Sequence, residues 1–185
     1  MEHNCGMNYQ EIIDLHYPVG TRRRDIYIHH CRQVTDKALS IATENNLPLD
    51  AAEIEEAAML HDIGIFLTDA DGIDCHGTEP YICHGILGAR LLREAGFSES
   101  TARVAERHTG AGISIEDIDE LNLPLPRRDF MPETLLERLI CYADKFYSKS
   151  GDMKEKSLER VRNSMSRHSS ATLARFEALH SEFGQ

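Results

Sequence analysis

Apolar residues along this chain recur at three- and four-residue spacings, the period of helices with one buried face, and show no convincing strand alternation. Tyr9 to Tyr17 reads as a short amphipathic helix ended by Pro18. A longer helix is predicted from about Arg23 to Asn45, with Cys31, Val34, Ala38, Ile41 and Ala42 on one stripe. Leu47-Pro48-Leu49-Asp50 breaks it, and Asp50 can cap a third helix that reaches about Ile63. A loop rich in Asp and Gly follows, from Thr68 to Gly77. Thr78-Glu79-Pro80 then looks like an N-cap with proline in the first turn of a helix running to Ala95, where Gly96 supplies the C-cap.

Ser98 opens the next helix, through His108, and Gly110 and Gly112 stop it. Ser114 and Asp117 give a Ser-x-x-Asp start, resembling a capping box, for a helix through Leu121. A proline-bearing loop spans Leu123 to Pro132, and a helix to about Ser148 comes after it. Past Gly151, in a Ser-rich helical region, Phe176, Leu179 and Phe183 offer one last core stripe. No internal repeat or domain linker interrupts the series, so the expectation is one all-α domain over residues 1–185.

Bulk properties narrow the class. No run approaches the roughly 18–20 apolar residues of a membrane span, and Met1 to Gln10 lacks the basic-then-apolar order of a secretory signal. Five cysteines (Cys5, Cys31, Cys75, Cys83 and Cys141) form no CxxC pair and no disulfide framework, which fits a reducing, cytoplasmic setting. A net charge of -11 disfavours nucleic acid and anionic membranes as partners. It leaves room for a small phosphorylated molecule, because bound metal reverses the local potential.

The chemistry concentrates at His61-Asp62, which closes the apolar stretch Ala57-Ala58-Met59-Leu60. Two adjacent ionisable residues there would be costly to bury without a task. His30 lies four, eight and eleven before Val34, Ala38 and Ile41, and His84 precedes Gly88, Leu91 and Ala95 by four, seven and eleven. His61 follows Ile54 and Ala57, His108 follows Ala102 and Ala105, and Asp144 follows Leu136 and Ile140, all at helical spacing. Helical geometry thus aims all of them inward.

A lone inward histidine is more often a hydrogen-bonded core residue than a ligand. An inward aspartate needs a cation, a capping role or a proton. Six such residues together point to a divalent-metal site for hydrolysis. His29 sits one position off the His30 face, and His3, His16, His168 and His180 read as surface residues. Cys75-His76 and Cys83-His84 match no strong zinc spacing. Arg22-Arg23-Arg24 reads as a solvated helix start, with anion binding the alternative.

His30, then His61-Asp62-Ile63-Gly64, then Asp144 resemble the HD-domain superfamily of metal-dependent phosphohydrolases in its HDIG form. The resemblance covers roughly Asp25 to Lys149, leaving 150–185 as a C-terminal helical extension of an HD-type bundle. Cys83-His84-Gly85-Ile86-Leu87-Gly88-Ala89 is similar to the family's third ligand helix, and Ala143-Asp144-Lys145 to its closing motif. Glu106 through Ile113 resembles a stretch of a little-characterised HDIG subgroup of archaea and bacteria.

The resemblance implies one metal on His30, His61, Asp62 and Asp144, and a second on His84 and His108 with Asp62 as bridge. It also implies that iron is common in such sites, with manganese and other divalent ions as alternatives. A water activated by the metals would attack a phosphoester or phosphoanhydride of a nucleotide or related small molecule. Besides Asp62, Lys145 is a candidate for the reaction and for substrate phosphate, with a surface lysine as the alternative. Arg127 and Arg128 are candidates to grip an anion. The resemblance leaves two other functions open, an HD-fold diiron oxygenase with the same ligands and a non-catalytic metal- or nucleotide-binding module. The final helical region could serve a homodimer contact or cover the core.

Overall fold

A computed structural model describes residues 7–184, and it is all-α apart from one two-residue ladder. His3 and Cys5 lie outside the described residues. Helices α1 (Tyr9–His16), α2 (Arg22–Glu44) and α3 (Ala51–Leu60) come first. A 3-10 turn over Ile63–Leu67 leads to the antiparallel strands β1 (Asp69–Ala70) and β2 (Cys75–His76). Then follow α4 (His84–Glu94), α5 (Glu99–Arg107), α6 (Ile115–Leu121), α7 (Leu135–Asp144), α8 (Leu158–His168) and α9 (Ser170–Phe183). No helix among the described residues is long and apolar enough to cross a membrane.

Local chemistry sets the helix starts. The side chains of Asn8, Thr21, Asp50, Ser98, Ser114, Thr134 and Ser157 accept hydrogen bonds from first-turn backbone N–H groups. At Ser114 the reciprocal box with Asp117 is complete. The boundaries of three helices differ from the sequence expectation, and α7 covers only Leu135–Asp144 where the sequence predicts a helix from Pro132 to about Ser148. Pro80 stays extended (ψ 141°), a short 3-10 turn over Tyr81–Cys83 follows it, and α4 begins only at His84. Helix α3 stops at Leu60, before the His61-Asp62 pair.

Two large apolar clusters hold the helices together. One joins α2, α3, α7, α8 and α9 through Val34, Ile54, Leu139, Ile140, Val161 and Phe176. Within it Phe176, Leu179 and Phe183 are buried, as the stripe in the final region predicts. The other packs Ile12, Tyr17 and Tyr27 against Met59, Ile63 and Leu92. Cys31, Cys75, Cys83 and Cys141 are free thiols in buried positions. In the arginine triplet at the start of α2, the Arg22 and Arg24 guanidiniums are tied locally. Arg24 binds Asp14 and the Tyr17 carbonyl, Arg22 donates to the Gly72 carbonyl, and the Arg23 backbone N–H bonds Asp74.

The turn after Asp62 is fixed from both sides. The Tyr17 hydroxyl donates to the Ile63 carbonyl (3.1 Å) and accepts from the Phe66 N–H (3.2 Å). On the other face Gly64 lies directly against α4, where a Cβ would overlap the His84 carbonyl oxygen and the Gly88 backbone. This close backbone approach sets His84 beside Asp62. Gly64→Ala should therefore lower unfolding stability by about 1–3 kcal/mol, as overpacking does. Gly72→Ala, whose Cβ would meet nothing within 4 Å, serves as the neutral control in the same denaturant titration.

Candidate metal centre

Five helices deliver six side chains to one point. His30 sits on the inner face of α2, His61 and Asp62 just past α3, and His84 opens α4. His108 follows α5, and Asp144 is the last residue of α7. All six are buried, with His30, His61 and Asp62 at 0% exposure.

Asp62 organises the cluster by giving one oxygen to each histidine pair. Its Oδ2 lies 3.2 Å from Nε2 of both His30 and His61. Its Oδ1 lies 3.2 Å from His108 Nε2 and 3.4 Å from His84 Nε2. Asp144 Oδ1 joins the first pair, 3.0 Å from His30 Nε2 and 3.4 Å from His61 Nε2. The result is two ligand groups that share Asp62, each with its donor atoms within 4.8 Å of one another.

The ring orientations suit a cation. Nδ1 of His61, His84 and His108 lies 2.6, 2.7 and 2.8 Å from the carbonyl oxygens of Ala58, Tyr81 and Ala105. Only an N–H can bond a carbonyl, so Nδ1 carries the proton and Nε2 presents its lone pair. Yet Nε2 of His84 faces Nε2 of His108 at 3.0 Å, and the His30 and His61 atoms face each other at 3.3 Å. The lone pairs opposed across 3.0 Å at His84 and His108 need a positive charge beside them. Both oxygens of Asp62 are buried without a hydrogen bond of ordinary geometry. Imidazole nitrogens and carboxylate oxygens in this arrangement fit a divalent metal.

Electrostatics sets the charge of each ligand group. Burial alone would raise the Asp62 carboxyl, but His61, Lys149, His108 and His30 outweigh it and hold the group well below the usual carboxylate range. Asp144 is held low in the same way, against burial, by Lys145, His30 and His61. Burial, reinforced by His108, pushes His84 down to about 3, and burial lowers His108 too, so both stay neutral near pH 7. His61 goes the other way, because Asp62 and Asp144 overcome its burial.

Three lysines surround the mouth. A cavity of about 190 Å³ opens on the ligands, and Lys145, Lys149 and Lys156 line it together with Tyr81 and His168. Lys145 is buried, not a surface residue. It lies 2.7 Å from Asp144 Oδ2 and donates to the His108 carbonyl at 3.0 Å, tying the two ligand groups together. Lys149 Nζ reaches Asp62 Oδ2 at 2.7 Å, and Asp62, Tyr81 and Asp144 keep its ammonium charged against the pull of burial.

Lys149 was not singled out in the sequence because it lies in a bend past the end of α7, where helical spacing says nothing. Its only sequence signal is a second lysine four residues after Lys145. Arg127 and Arg128 do not line this cavity. Asp119 binds the Arg127 guanidinium (2.8 Å), and buried Glu106 holds that of Arg128 (2.9 Å) above the Phe130 ring. His29 is exposed, while His168, also exposed, lies at the cavity mouth.

Residues 27–148 match the family model described as the HD domain. An uncharacterized protein of Methanocaldococcus jannaschii is 40% identical over 120 residues, covering 63% of each chain. Two tRNA (cytidine(56)-2′-O)-methyltransferases, from Picrophilus torridus and Thermoplasma volcanium, are 32% and 30% identical over 158 and 171 residues. Those matches take in 85% and 92% of this chain but only 41% and 45% of the relatives. The chain therefore spans less than two thirds of the length of each of these relatives. No solved structure matches it.

If Asp62 joins two metal positions, Asp62→Ala should abolish binding at both, while His84→Ala or His108→Ala should empty one and leave the other loaded. Elemental mass spectrometry on the purified variants reads this directly. Unchanged stoichiometry in both histidine variants would overturn the shared-aspartate arrangement.

Proposed function

The chain belongs to the HD-domain family, and we propose that it is a phosphohydrolase acting on a phosphoester or phosphoanhydride of a nucleotide or related small molecule. One observation carries the choice of substrate. In a chain of net charge -11, three lysines converge on the cavity that opens on the His/Asp cluster. A local cationic pocket in an acidic protein selects an anion, and phosphate is the anion whose cleavage such a metal site serves.

His30, His61, Asp62 and Asp144 would hold one divalent ion, and Asp62, His84 and His108 a second, with iron and manganese the candidates that suit these donors. Ions there would supply an acidified water and neutralise phosphate oxygens. The chain does the positioning. Backbone carbonyls lock three imidazoles in the tautomer that leaves Nε2 free. Lys145, a positioning residue, fixes Asp144 against the His108 backbone. Lys149 and Lys156 present ammonium groups to a phosphate entering the cavity. Burial of all six ligands keeps bulk water from competing for these contacts.

The methyl-transfer name of two relatives belongs to proteins of which more than half lies outside the match. We assign that activity to the unmatched part, because the residues gathered here suit ion binding and phosphate recognition.

Manganese-loaded protein under argon should release phosphate or a nucleotide from at least one member of a panel of nucleoside monophosphates, cyclic nucleotides and dinucleoside polyphosphates. Asp62→Asn should be inactive. Lys149→Met should keep its metal but lose about 10- to 100-fold in kcat/KM, the worth of one charge-assisted hydrogen bond of about 1.5–3 kcal/mol. No release across the panel, with oxygen uptake coupled to substrate loss by the iron form, would replace this reading with oxygenase chemistry. Nucleotide binding without turnover, alike in wild type and Asp62→Asn, would replace it with a binding module.

A further inference from the structure

Beside the ligand cavity lies a second one of different character. It measures about 360 Å³, within the range of about 300–1,000 Å³ typical of small-molecule pockets. Its walls are mainly apolar, from Ile82, Ile113, Leu121 and Leu123. Leu121 and Tyr81 are among the large hydrophobic side chains left exposed, at 58% and 40%. The two cavities share Tyr81, Thr109, Gly110 and His168, so they adjoin along one wall. The Tyr81 ring sits 4.7 Å from that of His84, on the boundary between metal ligand and apolar cleft.

The cleft also has a polar side, built by the C-terminal helices. Arg175 on α9 donates through Nη2 to Asp117 Oδ2 (2.6 Å) and Thr172 Oγ1 (3.1 Å), while its Nε is buried with no partner. Asp117 Oδ2 already accepts from Arg175 and from the Ser114 N–H, whereas Oδ1 accepts no hydrogen bond among the described residues. Ser169 and Thr172 add hydroxyl groups to the lining. Apolar faces with an adjacent carboxylate acceptor on Asp117 and the hydroxyls of Ser169 and Thr172 match a planar heterocycle, which offers π-faces and a polar edge. An alkyl chain would leave the free Asp117 oxygen and the cleft hydroxyls unmatched. The wall formed by residues 168–175 lies beyond residues 27–148, the part that matches the HD-domain model.

We propose that this cleft is the subsite for the base of a nucleoside phosphate, so that the substrate lies with its base between α6 and α9 and its phosphate among the lysines. The inference rests on the phosphohydrolase reading for the phosphate end, while the cleft itself is tested without turnover. With methyl-labelled isoleucine and leucine, adenosine, which has no phosphate, should shift the resonances of Ile82, Ile113, Leu121 and Leu123 in the intact protein and leave those of Leu139 and Ile140 in place. Leu121→Asp, a change at an exposed position, should lower the ratio of kcat/KM for the best nucleotide to that for methyl phosphate at least tenfold.

Phosphoester hydrolysis with no adenosine shift and an unchanged ratio would overturn the subsite and leave the phosphohydrolase reading intact. Shifts produced by hexyl phosphate but not by adenosine would overturn it in favour of an alkyl substituent. Adenosine shifts in a protein that hydrolyses no phosphoester would retain the subsite and remove the hydrolase reading.

Discussion

Taking a carboxylate such as Asp62 fully out of water costs several kcal/mol unless other groups answer its charge, and this fold answers it from every side. Four imidazoles and the Lys149 ammonium lie within 3.4 Å of its two oxygens. The imidazoles in turn have orientations fixed by backbone carbonyls or by their helix. Removing either class of partner would strand the other, which is why a polar cluster can stand at the centre of an apolar bundle. The same mutual dependence suits the site to a cation, since imidazole nitrogens and carboxylate oxygens line its interior.

The bundle's geometry follows from delivering those groups. Helix ends reach the centre more readily than helix middles because a side chain just past a terminus is free of the flanking turns. His61 and His108 use that position, and His84 and Asp144 are the first and last residues of their helices. Only His30 comes from within a long helix, and α2 is pinned along its length by packing against α3 and α7. Gly64 lets two backbones meet against Gly88, an approach that a Cβ on Gly64 would block. Tyr17, from the first helix, holds the turn that carries Asp62 from the side away from α4.

Much of this was legible in the sequence because it obeys a period. The inward faces of His30, His84 and Asp144 follow from their apolar partners four, seven, eight and eleven residues away. The Ser114-Asp117 box and the buried Phe176 stripe follow from equally local rules. Where the period breaks, the reading fails. The late start of α4 depends on Pro80 staying extended, and Lys149 sits in a bend. The cleft shared by α6 and α9 is a tertiary product of residues more than fifty positions apart, and His168, at its edge, has no pattern of its own.

The central claim is that one buried aspartate joins two metal positions through its separate oxygens. Anomalous X-ray diffraction from crystals of the manganese- or iron-loaded protein tests it most directly. The account predicts two metal peaks flanking Asp62, one bounded by His30, His61 and Asp144 and the other by His84 and His108. A single peak that persists after reloading, or a pair in which Asp62 touches only one ion, would contradict it.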